Sequence, residues 1–276
     1  MSETSYGSES QTVSVSGTED FNLSACKVRH PELLDLLTRS DGIRRRIKAD
    51  LSTKGPVQRI ELHKFPTKTR QCSVFCTEST VNAPLNIVVA MLREIDLTPL
   101  AGKLKHSHFF PTGTWPCFHR TFAYTTRFPF PFWARSFEVG SWFIPPNMFP
   151  EDLAPESGET VVCYISQTVA NRSRVPRASV SGDILFSGVL FIPSPDGERT
   201  WMRRVTSVNF NWCFSGWLHN RSVRNSFKRG HRWMNRAAKN PLIVDALRER
   251  IARHRIVYDS LLHSDVDNKS IEDLLL

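Results

Sequence analysis

The sequence lacks the features of a secreted or membrane-spanning protein. No charged N-terminal segment precedes an apolar one, so no secretory signal is visible. No apolar run approaches the roughly 18 residues needed to cross a bilayer. The six cysteines are scattered without a CxxC motif, and Cys72 and Cys76 lie too far apart along a strand-like run to bond. We therefore expect a reduced, intracellular protein.

Common catalytic and metal-binding signatures are missing too. The sequence contains no GxSxG, P-loop, HExxH or GxGxxG motif, which argues against the usual hydrolase, nucleotide-binding and metalloprotease classes. His106 and His108 are spaced as on one face of a strand, but no carboxylate or cysteine joins them at a ligand spacing. We expect neither a metal site nor a cofactor.

The sequence has fewer acidic residues than basic ones. The net charge of +9 and the pI near 9.5 indicate an anionic partner: a phospholipid surface, a nucleic acid or an acidic protein. Nucleic acid is not expected, because its binding needs aromatic residues interleaved with basic ones on an open face, and most aromatic residues lie elsewhere.

Much of the positive charge falls between residues 217 and 239, where no acidic residue occurs. Apolar residues recur there at helical spacing: Val223, Phe227, Met234 and Ala238. Basic residues cover much of the rest of the helix: Arg221, Arg224, Lys228, Arg229, Arg232 and Arg236. We predict an amphipathic helix that closes an apolar cavity with one face and offers the other to an anionic partner.

The remaining chain divides into recognisable segments. Residues 1–25 contain few apolar side chains and are expected to be disordered. Residues 31–51 read as a helix with a candidate break at Asp41-Gly42, and another helix opens with Asn82 as its cap and Pro84 in its first turn. A helix over 242–262 and an acidic tail over 265–276 end the chain. Alternation predicts strands over 58–65, 71–80, 117–126, 135–144, 160–169, 183–192 and 200–211.

Nearly half of the aromatic residues lie between residues 109 and 149. Two prolines prevent regular strand pairing in Arg127-Phe-Pro-Phe-Pro-Phe-Trp-Ala134, which is therefore a loop. Its rings either pack on the core or form an apolar tip that gates a cavity or enters lipid headgroups. The rings concerned are Phe128, Phe130, Phe132 and Trp133.

Strands joined by short turns favour an antiparallel sheet, and a curved sheet cannot bury its concave face alone. The long basic helix is the obvious cover. The predicted fold class is α+β: a curved antiparallel sheet wrapped around a long C-terminal helix, with a ligand-sized apolar cavity between them.

In this order of elements, three segments resemble the START (StAR-related lipid-transfer) domain. Thr80-Val-Asn-Ala-Pro-Leu85, continuing to Leu97, looks like the passage from strand to helix ahead of the family's sheet. Pro131-Phe-Trp-Ala-Arg135-Ser-Phe137 is similar to a loop that usually reads Pro-x-Arg-Asp-Phe, and Ser215-Gly-Trp-Leu218 precedes the long helix as in the family. The likeness covers residues 56–239, between a helical segment over 26–55 and the C-terminal helix over 240–264.

The resemblance implies a helix-grip fold and a tunnel for one lipid, closed by a mobile lid and loop, with no catalysis. The implied ligand-binding residues are Phe128, Phe130, Phe132, Trp133, Trp142, Val223, Phe227 and Met234. The basic face of the helix, rather than the resemblance, gives the expected membrane contacts of a cytoplasmic, transiently membrane-associated protein: Arg221, Arg224, Lys228, Arg232 and Arg236.

The sequence departs from the family at three positions. Ser136 stands where Asp is common, Ser141 stands near the buried Arg of sterol binders, and His219 replaces a Pro. The Arg–acid pair of sterol binders is therefore not evident, and a sterol ligand is not supported. Two other classes remain open: a small cyclase or hydrolase using Glu138 or Asp183 in a similar cavity, and a protein-interaction scaffold with a solid interior.

Overall fold

The computed structural model describes residues 30–39, 42–66, 71–94, 104–110, 120–126, 134–144, 162–168, 179–211, 216–255 and 258–259. These residues form five α-helices and nine β-strands. The helices are α1 (Pro31–Thr38), α2 (Ile43–Ser52), α3 (Leu85–Arg93), α4 (Gly216–Ala237) and α5 (Pro241–Arg253). The strands are β1 (Gln58–Pro66), β2 (Gln71–Val81), β3 (Leu104–Phe110), β4 (Arg120–Thr126), β5 (Ala134–Ile144), β6 (Val162–Thr168), β7 (Ser179–Ser181), β8 (Asp183–Pro193) and β9 (Thr200–Asn209).

One sheet contains all of these strands, in the order β1-β2-β9-β8-β6-β5-β4-β3. Neighbours along this path are antiparallel, as predicted, while the short β7 pairs with β5 in parallel. Helices α1 and α2 pack on one side, called here the outer face. Helices α3, α4 and α5 pack on the other side, called the inner face. The predicted α+β fold, a curved sheet gripping a long C-terminal helix, is confirmed.

The N-terminal helical segment is broken at Gly42. This glycine has a φ of +67°, a left-handed conformation that a residue with a Cβ adopts only at a cost. The break lets both short helices lie against the outer face. Leu37 of α1 packs onto Gly188 of β8, where an added Cβ would stand only 2.6 Å from the Leu37 Cδ2 atom. The absence of a side chain at Gly188 therefore lets α1 pack closely against the sheet.

Asn82 does not cap α3, contrary to the prediction. The N-cap residue is Pro84, and no side chain caps the helix. The Asn82 side-chain oxygen instead accepts a hydrogen bond from Arg199 Nε at 3.2 Å, and the same guanidinium donates to the carbonyl oxygens of Leu51 and Thr53. Arg199 thus joins the β8–β9 turn to the end of α2, and Asn82 helps to hold its guanidinium in place.

Two strands were not predicted. Strand β3 contains lysine and histidine and forms the far edge of the sheet, so its residues lack the apolar alternation of a central strand. Strand β7 has only three residues, too few for a periodic signal. The predicted turn over residues 193–198 does join β8 to β9, with Gly197 at a φ of +72°. Helix α5 begins at Pro241 as predicted, behind Asn240, whose side chain accepts a hydrogen bond from the Leu242 amide.

A buried ion-pair network fastens the outer face. Glu78 on β2 accepts hydrogen bonds from Arg203 on β9, the shorter from Nη2 at 2.8 Å, and it also pairs with Arg59 and Arg46. Arg59 also binds Asp50 of α2, which accepts a hydrogen bond from the Trp201 indole at 3.1 Å. Both Glu78 and Arg203 are buried, so each depends on the other for its charge to be compensated.

Replacement of Glu78 by alanine should lower the free energy of unfolding by about 3–5 kcal/mol, because it leaves a buried guanidinium without its carboxylate. Chemical denaturation measures the effect. Glu61→Ala is the control: this carboxylate is exposed on the neighbouring strand, and its loss should change stability by no more than about 0.5 kcal/mol. Equal effects of the two variants would show that the network does not stabilise the fold.

Candidate functional site

Helix α4 is amphipathic in the predicted sense. Val223 and Met234 are buried, Ala238 just beyond the helix is half-buried, and Phe227 is half-buried with its ring 5.8 Å from the Phe75 ring on β2. Met234 joins the apolar cluster formed with α3 and α5. The apolar side of the helix therefore faces the sheet rather than water.

Polar contacts fix α4 along strands β1 and β2. Gln58 Nε2 donates to the Phe227 carbonyl at 3.2 Å, and His231 Nε2 lies 2.9 Å from the Thr80 carbonyl. The Asn235 side-chain oxygen accepts from the Asn82 amide at 3.2 Å. At the other end of the helix, the His219 ring lies 5.2 Å from the Phe210 ring, and burial lowers the pKa of His219.

The inner face beneath α4 is apolar at both ends. One end is the α3 cluster, in which Phe143, Val189 and Met202 of the sheet pack against α3, Met234 and Leu247. The other end is the Phe137 cluster, formed by Phe137, Val139 and Ile184 with Val208 and Phe210. Among the described residues the two clusters are separate.

Hydroxyl side chains lie between these two clusters. Ser141 pairs with Ser166, Ser166 with Ser187, and Ser187 with Thr206, so one hydroxyl from each of β5, β6, β8 and β9 forms a line across the sheet. We call these four residues the hydroxyl row. Ser187 and Thr206 are hydrogen-bonded at 3.3 Å, and Phe75 follows Thr206 on β2. Since the Phe75 ring contacts the Phe227 ring, this line of paired residues reaches the middle of α4.

Arg204 lies beside the hydroxyl row, two residues before Thr206 on β9. Its guanidinium carbon is 6.0 Å from the centre of the Phe227 ring, and no described residue gives it a hydrogen bond or a carboxylate. Burial lowers the pKa of Arg204 to about 10, although part of its surface remains accessible. Among the described residues, Arg204 therefore has no counter-charge. With a pKa near 10 it is charged at neutral pH.

The outer side of α4 is a basic surface. Its five predicted membrane contacts are all exposed, and no carboxylate of the described residues forms an ion pair with them: Arg221, Arg224, Lys228, Arg232 and Arg236. Arg229 is exposed among them. Trp217, at the start of the helix, is 64% exposed, and the Arg221 guanidinium lies 5.3 Å from its ring centre. A cationic surface with an amphipathic ring at one end has the composition of a membrane-interface helix.

Several predicted site residues lie away from the inner face or outside the described residues. Trp142 packs with Leu37 and Ile165 on the outer face, because it alternates with Phe143 along β5, so it is not retained as a ligand-lining residue. Glu138 alternates with Phe137 and Val139 and likewise does not share their face. The aromatic loop residues lie outside the described residues: Phe128, Phe130, Phe132 and Trp133.

The described residues contain no group of three or more His, Cys, Asp or Glu side chains that could hold a metal ion. The same residues include no helix long and apolar enough to cross a membrane.

Sequence reasoning missed Arg204 and the hydroxyl row. The signal was present, since two consecutive arginines in a strand must point to opposite faces. In a strand whose two faces are both covered, one of the two arginines has to lie on the inner face, the side on which α4 packs. Recognising this required knowing that β9 is central in the sheet, which the strand order reveals and the sequence does not.

Comparison with solved structures identifies the fold. Human STARD10 superposes with a TM-score of 0.51 at 12% identity, over 83% of this chain and 89% of that chain. Human StAR-related lipid transfer protein 5 gives a TM-score of 0.50 at 12% identity, over 76% and 98% of the respective chains. No protein-family model and no curated protein sequence matches the chain. The structural likeness confirms the START-like helix-grip fold that the sequence resembles, and at this identity it shows the fold alone.

The two neighbouring arginines should respond oppositely to replacement by methionine. Arg203→Met breaks the buried pair with Glu78 and should lower the free energy of unfolding by about 3 kcal/mol. Arg204→Met removes a desolvated cation that lacks a counter-charge, so stability should stay the same or rise. Urea denaturation of lipid-free protein compares the two. A loss at Arg204 as large as that at Arg203 would mean that the protein itself supplies a counter-charge.

Proposed function

We propose that this protein binds one lipid molecule between α4 and the inner face and transfers it between membranes without catalysis. The observation that carries the proposal is the hydroxyl row, which lies between two apolar clusters of described residues beneath an amphipathic helix. If this face served only to pack α4, apolar side chains would be expected at these positions, since close packing and apolar burial supply most of the stability.

The fold supports the same function. One structural neighbour is human StAR-related lipid transfer protein 5, and the chain covers 98% of it. A helix laid across a curved sheet leaves its interior reachable only if the helix or an adjacent loop moves. Val223, Phe227 and Met234 would line the interior from the helix side, and Phe75 from the sheet.

The basic surface of α4 supports docking on an anionic membrane. Basic residues near an anionic leaflet contribute on the order of 1 kcal/mol each, so five or six of them would hold the protein there reversibly. The exposed Trp217 adds a ring suited to the headgroup region. Since this surface and the proposed lipid site are opposite faces of one helix, docking would bring the site next to the bilayer.

A bulky substitution in the hydroxyl row tests lipid binding. Ser187→Phe places a ring in the middle of the inner face and should reduce the lipid recovered with the purified protein by at least about tenfold, because overpacking competes with the ligand. Mass spectrometry of organic extracts measures the lipid per protein. Ser52→Phe, on the exposed end of α2, is the matched control and should retain it. If the wild-type protein yields no lipid and takes up none from vesicles, the proposed function is wrong.

Charge reversal tests the docking surface. The triple variant Arg224→Glu, Lys228→Glu, Arg232→Glu should bind vesicles of phosphatidylcholine and phosphatidylserine at least about 100-fold more weakly, because three attractions become repulsions. Sedimentation at two salt concentrations measures binding, which should also weaken at the higher one.

The matched control is reversal of Arg44, Arg45 and Lys48, three exposed basic residues of α2 on the opposite side of the sheet. It changes the net charge by the same amount. Binding that depended only on net charge would fall equally in both variants, and that result would remove α4 from the proposed membrane contact.

A further inference from the structure

Arg203 and Arg204 are adjacent in β9, yet their surroundings differ. Arg203 is bound by Glu78 and by the Arg39 carbonyl on the outer face. Arg204 is on the inner face between Thr77 and Val189, its cross-strand partners, and no described carboxylate pairs with it. The inner face thus holds a fixed positive charge at its centre.

The contacts that Arg204 does make are weak compensation for lost water. The Phe227 ring, 6.0 Å away, offers a cation–π contact, and Tyr164 on β6 interacts with it electrostatically. Neither replaces a carboxylate, and an enclosed guanidinium without an anion is costly. A ligand that brings a negative charge would supply what the protein leaves out.

Further hydrogen-bond donors lie within reach of the same anion. Thr77 is directly opposite Arg204, Thr206 is the next residue on the same face of β9, and Ser187 is the diagonal neighbour on β8. Ser166 continues the row and makes no hydrogen bond through its hydroxyl to another described residue. A guanidinium with several hydroxyl donors beside it suits an anionic group with more than one acceptor oxygen.

We propose that Arg204 and the hydroxyl row bind the anionic headgroup, a phosphate or a carboxylate, of the lipid held under α4. This inference rests on the proposed function and adds the chemical class of the ligand. The apolar side chains next to the headgroup, Phe75 and Phe227, contact the start of its acyl chain. A neutral lipid leaves the guanidinium uncompensated and binds more weakly.

Pairs of fluorescent probes that differ only in charge test the inference. Acyl-labelled phosphatidic acid is compared with diacylglycerol of the same chains, and a labelled fatty acid with its methyl ester. Lipid-free wild-type protein should bind the anionic member of at least one pair about 10- to 100-fold more tightly, the range expected of hydrogen bonds to a charged group. Arg204→Met should abolish this preference, and Arg204→Lys should retain part of it.

The two pairs also identify the source of the charge. A preference within the first pair alone assigns a phospholipid, and one within the second pair alone assigns a fatty acid. Arg45→Met removes an exposed guanidinium from α2 and should leave every affinity unchanged.

Two results would overturn the inference: equal binding of charged and neutral probes by the wild type, or a charge preference that survives in Arg204→Met. In either case the neutral probes still bind, so lipid binding stands and only the headgroup assignment fails. If none of the four probes binds, the proposed function fails together with the inference.

Discussion

A strand that is covered on both faces cannot place two adjacent arginines in water, and β9 has both Arg203 and Arg204 at its centre. The outer face compensates Arg203 with Glu78 and thereby joins β2 and β9 beneath α1 and α2. On the inner face no carboxylate of the described residues pairs with Arg204, and the hydroxyls of Thr77 and Thr206 lie beside it. The two faces therefore treat their arginines differently: the outer face pairs its arginine with a carboxylate, and the inner face places its arginine next to hydroxyls under α4.

Positive charge lies on both sides of α4. The basic surface faces solvent, and Arg204 lies beneath Phe227 on the sheet side. An anionic lipid drawn to the surface by the exposed arginines would meet a second cation inside, with only the helix between them. Phe227 contacts Phe75 and lies over the Arg204 guanidinium, so the helix is in contact with the inner cation. On this view docking and binding use the same electrostatic preference twice.

The sequence predicted the fold class and most elements because they depend on local patterns. Apolar spacing located α4 and the buried Val223 and Met234, and alternation located the central strands. It missed β3 and β7, which lack alternation, and it assigned the cap of α3 to Asn82, whose side chain serves a distant arginine instead. Trp142 was placed in the site because strand alternation gives two faces without saying which one meets the helix. Arg204 could not be identified for a related reason. Its role depends on having no carboxylate among its described neighbours, and the order of the strands decides which residues those neighbours are.

The inner face bears differently on the classes that the sequence left open. A protein-interaction scaffold assigns no role to the buried hydroxyls that lie between the two apolar clusters of described residues. An acid–base enzyme needs a group that gains and loses a proton near neutral pH. The central described positions of the inner face offer hydroxyls and a guanidinium whose pKa, about 10, keeps it protonated. A permanently charged donor holds an anion in place but does not accept its proton, so Arg204 itself is suited to binding an anion rather than to acid–base chemistry.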